Sequence, residues 1–313
     1  FLNDQNEFAD YNFDGSAMSI LLDLLAYNTH YNAFYLNMVV NEMFLDTASL
    51  RNSVVSRAKH LGYTPTSVRG AKAYIDLTIT PANTPSNIII EKDTQFTSTV
   101  NGISYIFATT GSTTINVNAN GIYTSANVEL SQGIPLTHRY TANTADPDQR
   151  YILPNANTDT STLTVQIQTS ATNTNLYTYS VANDTTTINS TSNVYFLEED
   201  TDSRYRVYFG DDIIGRKLVD GNIVVLKSLI SDASAPNGAK TFTPVSTVGG
   251  YSNVTVSTLT SASGGADRDT ISSIKFNAPK SYQAQNRAVT INDYIRILQR
   301  DYTAAESVVA WGG

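Results

Sequence analysis

The sequence predicts an α+β chain with an N-terminal helical segment, a central antiparallel β-rich region and a C-terminal α/β portion. Three observations carry this. Apolar side chains recur at helical spacing up to Pro65; they then alternate with polar ones at a period of two; and a helical pattern returns after Gly264.

Over residues 16–45 the apolar positions Leu21, Leu24, Leu25, Tyr27, Tyr31, Phe34, Tyr35 and Met38, together with Ile20, describe a helix with a wide apolar face. Ser16 after Gly15 fits its N-cap. A second helix is expected over 47–61, with Leu50, Val54, Ala58 and Leu61 on one side. Gly62 ends it and Pro65 stops it. Ala71, Ala73, Ile75, Leu77 and Ile79 then alternate with Lys72, Tyr74, Asp76, Thr78 and Thr80, the pattern of a strand with one buried face.

Asn101-Gly102 joins the alternating runs 95–100 and 103–107 as a two-residue hairpin. Further strands are expected at 163–168, 176–181, 193–197, 204–209 and 222–230. Turn clusters such as Asp146-Pro147-Asp148 and Pro154-Asn155 lie between elements. Residues 140–162 are poor in apolar side chains and read as a long loop or the edge of an insertion. Near the end, Asp267 or Asp269 caps a short helix carrying Ile271 and Ile274, which Pro279 terminates. Thr290 to Asp293 resembles a capping box with Asp at the third position. Tyr294, Ile297 and Leu298 form the buried face of the helix it opens, and a strand at 307–311 follows.

Composition narrows the function. Charged residues are 15% of the chain, against roughly 25% in an average soluble domain. Asn, Ser and Thr take their place, as suits β-rich structural proteins. A net charge of −8 without a basic cluster argues against nucleic acid. There is no cysteine, hence neither a disulfide framework nor a thiolate metal site. The most apolar stretch, 18–40, is interrupted by Asp23, Asn28, His30, Asn32 and Asn37, so no membrane insertion is expected. The chain opens at Phe1 and stops after Trp311-Gly312-Gly313, which reads as a piece of a longer protein.

No catalytic constellation stands out. His30, His60 and His138 are isolated, without metal-ligand spacing. The Gly210-Asp211-Asp212 pair of carboxylates has the chemistry to bind magnesium but lacks a further acid and a basic groove, so it reads as a turn. Glu198, Glu199, Asp200 and Asp202 lack calcium-loop spacing and read as a solvated acidic turn. The expectation is no enzyme, no metal and no cofactor.

Two stretches carry a family resemblance. Gly264, Gly265, Ala266 and Asp267, then Ala278-Pro279, then Arg287, Ala288, Val289, Thr290, Asp293 and Tyr294 resemble the baseplate J family of contractile phage tails. Tyr208 to Asp212, Gly215, Gly221 and Pro236-Asn237-Gly238 are similar to the same family. Residues 3–13, Leu24 to Tyr27, Asn41 to Ala48 and 50–63 resemble the baseplate wedge proteins of T4-like contractile-tailed phages.

The resemblance implies a structural wedge subunit in the virion tail baseplate, assembled in the host bacterial cytoplasm. Its implied partners are a second copy of itself and other baseplate wedge proteins, in a ring around the central hub and tail tube that passes on the trigger for sheath contraction and genome delivery. The matching subunit of a contractile injection system shares the family core. From another class, the alternative is a β-rich receptor-binding tail protein; a fibre of that kind would favour repeats or a trimeric stalk, and neither is visible in the sequence. Three regions follow: 1–66 for subunit association, 67–262 for the β-rich part with room for an insertion near 140–195, and 263–313 as a truncated J-like portion. The partner-binding residues are the eight from Leu21 to Met38 named first above. The fold-defining ones are Gly264, Gly265, Asp267, Pro279, Arg287, Val289, Thr290, Asp293 and Tyr294.

Overall fold

The computed structural model describes residues 17–118, 121–146, 149–182, 187–284, 288–301 and 307–311. Helix α1 spans Ala17–Glu42 and α2 spans Arg51–His60. Fifteen strands follow: β1 Lys72–Ile79, β2 Asn87–Ile90, β3 Gln95–Val100, β4 Ile103–Thr109, β5 Thr113–Asn116, β6 Tyr123–Gln132, β7 Ile134–Thr141, β8 Tyr151–Leu153, β9 Thr158–Gln168, β10 Leu176–Val181, β11 Val194–Glu199, β12 Tyr205–Phe209, β13 Ile223–Ile230, β14 Thr243–Pro244 and β15 Val254–Ser263. Helices α3, Ile271–Ala284, and α4, Ile291–Asp301, complete the α+β architecture.

The first sheet has the order β14-β3-β4-β6-β1-β15, antiparallel throughout. In β1 the alternation anticipated from sequence holds: Ala73, Ile75, Leu77 and Ile79 are buried against Phe96, Phe107 and Leu130. Asn101 and Gly102 both take positive φ, the geometry that lets β3 fold straight back as β4. The sheet is strongly curled. The Ala262 N–H donates to the Ala239 carbonyl at the outer side of β15, yet Thr243 pairs with Thr97 of β3 near the opposite edge. Four residues reach about 14 Å, whereas β3 and β15 in a flat sheet would lie about 19 Å apart. The segment 238–244 therefore bridges the two edges, with Phe242 inserted beside Phe107 at 5.0 Å between rings.

The second sheet has the order β7-β13-β9-β10-β11-β12-β8. All its pairings are antiparallel except β10 with β11. Val165, Ile167, Val207, Val224 and Leu226 fill its core. A small two-stranded sheet, β2 with β5, sits alongside the first. A third apolar cluster contains no strand residue: Val54, Val55 and Ala58 of α2 pack on Ile274 and Ala278 of α3.

The chain passes from the first sheet to the second at Gln132-Gly133. Gln132 is fully buried and its amide is satisfied on both sides: it donates to Asp232 and accepts from the Ser231 hydroxyl and the Asp232 N–H. Gly133 has φ 149, and a Cβ there would stand 2.7 Å from the Leu229 Cβ and 3.0 Å from the Ile230 carbonyl. Only glycine lets β6 turn into β7 while lying against β13.

Several expectations fail for physical reasons. Residues 140–162 are not a long loop: β8 and the first half of β9 lie there. Their buried positions include polar Thr158 and Asp159, whose groups are satisfied internally, so apolar content understated the burial. Pro279 does not end the helix but lies inside α3. It removes the N–H that the Lys275 carbonyl would accept, yet Ile274 and Ala278 on either side of that gap are fully buried on α2. Packing outweighs propensity there. The cap of α3 is Thr270, whose hydroxyl accepts the Ser273 N–H at 3.1 Å, and neither Asp267 nor Asp269. The second helix begins at Arg51 and not at 47; Glu42 holds the Ser49 and Leu50 N–H groups just ahead of its first turn. Residues 307–311 form no strand, having no ladder partner among the described residues. Tyr294 and Leu298 are about half exposed where a buried face was expected.

Replacing Gly133 by Ala is expected to cost about 2–4 kcal/mol, since both φ and the Leu229 contact oppose a side chain. Chemical denaturation measures it; a loss below about 0.5 kcal/mol would contradict the crossing geometry.

Candidate assembly interface

Among the described residues, none of helix α1 is fully buried. Apart from half-buried Leu22, its large apolar side chains from Ile20 to Val40, including Leu21, Leu24, Leu25, Tyr27, Tyr31, Phe34, Tyr35 and Met38, are between 39% and 64% exposed. The apolar surface is wider than the face anticipated from sequence, because Leu36, Val39 and Val40 extend it. At about 100° per residue, Ser19, Asp23, His30, Asn37 and Asn41 fall on one narrow polar stripe, and apolar residues occupy roughly two-thirds of the circumference. Aromatic rings run along it, Tyr27 to Tyr31 at 4.4 Å and Tyr31 to Tyr35 at 6.2 Å. A helix apolar over so much of its surface is the kind found inside a core.

The C-terminal end of α1 is tied to α2 by one carboxylate. Glu42 accepts hydrogen bonds from the Ser49 N–H and hydroxyl at 2.8 and 2.6 Å, and from the Leu50 N–H at 3.3 Å. These donors, the Ser49 hydroxyl foremost, hold its pKa at about 2 instead of 4.5.

Helix α2 is in turn fastened to both α3 and the second sheet. Arg51 grips Glu199 of β11 with two nitrogens, at 2.6 and 2.9 Å, and donates its third to the Asp269 carbonyl at 2.5 Å. The Glu199 side chain is 1% exposed. Asp269 accepts from Tyr63 at 2.7 Å, from the Thr66 N–H and hydroxyl at 2.9 and 2.6 Å, and from Ser273 at 2.7 Å. Burial opposes the charge of Asp269, but those donors win and hold its pKa below the usual carboxylate range. Tyr205 of β12 donates to the Pro65 carbonyl at 2.9 Å, and burial pushes its phenol far above the usual range, so it stays a donor.

The acidic run is a solvated turn only at Asp202; Glu198 and Glu199 lie in β11. Glu198 pairs with Lys59 and Arg206, Glu199 with Arg51, Asp200 with Arg150 and Asp202 with Arg204. The cross-strand register of Glu198 with Arg206 and the helix bringing Arg51 and Lys59 were the signals that sequence spacing missed.

The first of the C-terminal motif residues, Gly264, Gly265 and Asp267, lie between β15 and α3. Gly264 takes positive φ as β15 ends. Gly265 is clamped by Asn237, which accepts its N–H and donates to its carbonyl, both at 2.9 Å. Asp267 accepts from Ser234 at 3.3 Å. Thus the Pro236-Asn237-Gly238 and Gly264-Gly265 stretches, far apart in sequence, meet directly. Thr290 and Asp293 form the expected box: Asp293 accepts the Thr290 N–H at 2.7 Å and Thr290 accepts the Asp293 N–H at 3.3 Å. Val289 is exposed, its N–H donating to Asp293 at 3.2 Å. Arg287, Ser16 and residues 3–13 lie outside the described residues.

The chemical alternatives find little geometry. Asp211 accepts the N–H groups of Ile213 and Ile214, both at 3.0 Å, and Asp212 accepts that of Lys217 at 2.9 Å, so both carboxylates shape the turn. Among the described residues no three histidine or acidic side chains gather as a metal site, and no helix is long and apolar enough to cross a membrane.

The site is thus an apolar, exposed helix anchored at one end to a β body. Residues 1–63 match the family described as "Baseplate wedge protein gp6-like, helical domain". Over 322 residues the chain is 30% identical to the "Baseplate wedge protein gp6" of Enterobacteria phage T4, covering 94% of this chain and 47% of that protein. The chain thus spans about half the length of that relative.

Because the folded pKa of Glu42 is depressed, its contribution is full above pH 4.5 and lost as pH falls toward 2. Glu42→Ala should lose amide-exchange protection at Ser49 and Leu50 already at neutral pH, whereas the parent chain loses it only on approach to pH 2; equal protection at pH 7 would refute the role given to Glu42. Arg51→Met is expected to cost about 3–5 kcal/mol in denaturant unfolding by stranding buried Glu199. The double change Arg51→Met, Glu199→Met should recover much of that loss, and no recovery would place the cost elsewhere.

Proposed function

We propose that this chain is a structural subunit of a contractile-tail baseplate, a wedge scaffold without catalytic activity. One observation carries the reading: α1 exposes apolar side chains over most of its circumference. The similarity of residues 1–63 and of most of the chain to wedge proteins supports it. In this reading α1 enters a helical bundle with a second copy of itself and with other wedge proteins, in the virion, around the hub and tail tube. A face this broad takes more than one partner helix. Asn28 and Asn32, bonded to each other at 3.1 Å, lie within the apolar arc, where a polar pair sets register between helices.

The subunit is assembled in the host cytoplasm. Movement of the bundle reaches the β body through Glu42 and Arg51 and so passes on the rearrangement that triggers contraction. Leu24→Asp with Tyr31→Asp is expected to abolish self-association and co-purification with neighbouring tail subunits, while circular dichroism in the β region stays unchanged. Undiminished co-purification would sink the proposal.

A further inference from the structure

A cleft of about 250 Å³ lies between the two sheets, away from the helical arm. One wall carries Lys72 of β1 and Glu129 of β6, with Lys92 in the turn before β3. The other carries Lys227 of β13 and the hydroxyl-rich stretch 161–164 of β9. A large bulge opens that wall. Lys227 pairs with Thr164 and Leu229 with Asp159, so the four β9 residues 160–163 stand opposite Ser228 alone. Within the bulge the Thr162 hydroxyl accepts the Leu229 N–H at 3.0 Å, in place of a backbone carbonyl. The distortion is thus stabilised, and it indents the sheet where the lysines converge.

Two of these cations are engaged. Lys72 pairs with Glu129 at 2.9 Å, and Lys92 reaches the Thr164 hydroxyl of the opposite wall at 3.2 Å. Lys227 is half-buried and has no ion pair or hydrogen bond within the described residues. The next residue, Ser228, also lines the cleft, and its buried hydroxyl has no hydrogen-bond partner. A chain with net charge −8 and eight lysines places three of them around one cleft. Asp93 and Glu129 also line the cleft, but neither pairs with Lys227; an ammonium so placed favours an oxyanion, because charge-assisted hydrogen bonds from lysine and hydroxyl donors are the strong ones.

We propose that this cleft is a binding site for a small oxyanion, a carboxylate or phosphate, with Lys227 as its principal charge and Lys92 and the β9 hydroxyls as further donors. The site stands independently of the wedge reading. Its ligand has two sources, a free anion or the acidic side chain of a neighbouring chain.

Calorimetric titration of the full chain with inorganic phosphate and, separately, with N-acetylglutamate, each against chloride at matched ionic strength, tests it. Saturable binding is expected for at least one anion, weakened about tenfold by Lys227→Met and unchanged by Lys280→Met on α3. Phosphate binding alone would assign a free anion, and N-acetylglutamate binding alone an acidic segment. No saturable binding of either, or the same loss in both variants, would overturn the proposal.

Discussion

The Arg51 guanidinium is where three parts of the chain meet. Its two-nitrogen grip on Glu199 joins α2 to the second sheet, and its third nitrogen reaches the backbone entering α3. Asp269 collects the opposite set of donors from the linker between α2 and β1. Desolvating a carboxylate as deeply as Glu199 is unfavourable unless its oxygens are saturated, which the bidentate arginine achieves. The α2–α3 pair has a small apolar cluster of its own, made without strand residues. Its named links to the second sheet are polar ones: Arg51–Glu199, Lys59–Glu198, Thr64 to Leu197 and Tyr205 to Pro65. The helical shoulder is therefore placed by directional bonds, which fix orientation more sharply than apolar contact.

That placement sets the direction in which α1 leaves the body. Glu42 closes the corner between α1 and α2, so the exit of the long helix is defined although no residue along its described length is fully buried. The two sheets supply a rigid base of a different kind. The first curls until segment 238–244 joins its edges, and the crossing at Gln132-Gly133 locks it to the second. A helix projecting from such a base with most of its large apolar side chains exposed is the physical core of the wedge reading.

Much of the fold could be read from the residues. The alternation in β1 and the Asn101-Gly102 turn are local signals, and both are where the pattern puts them. Strands β6 and β15 escaped because bulges against β1 shift the register and break the period of two. Pro279 misled because a buried pair of contacts on α2 carries the helix past it. The apolar residues of α1 were legible as a surface, since their spacing alone shows them. The Arg51–Glu199–Asp269 node was not, because its members lie 148 and 218 positions apart and only the tertiary fold brings them together.

The central claim is that α1 draws most of its stability from neighbouring chains. Hydrogen–deuterium exchange on the isolated chain and on the same chain in assembled tail baseplates tests it most directly. In isolation the amides of α1 should exchange orders of magnitude faster than those of β13, and in the assembly they should become comparably slow. Protection of α1 equal to that of β13 in the isolated chain would contradict the account.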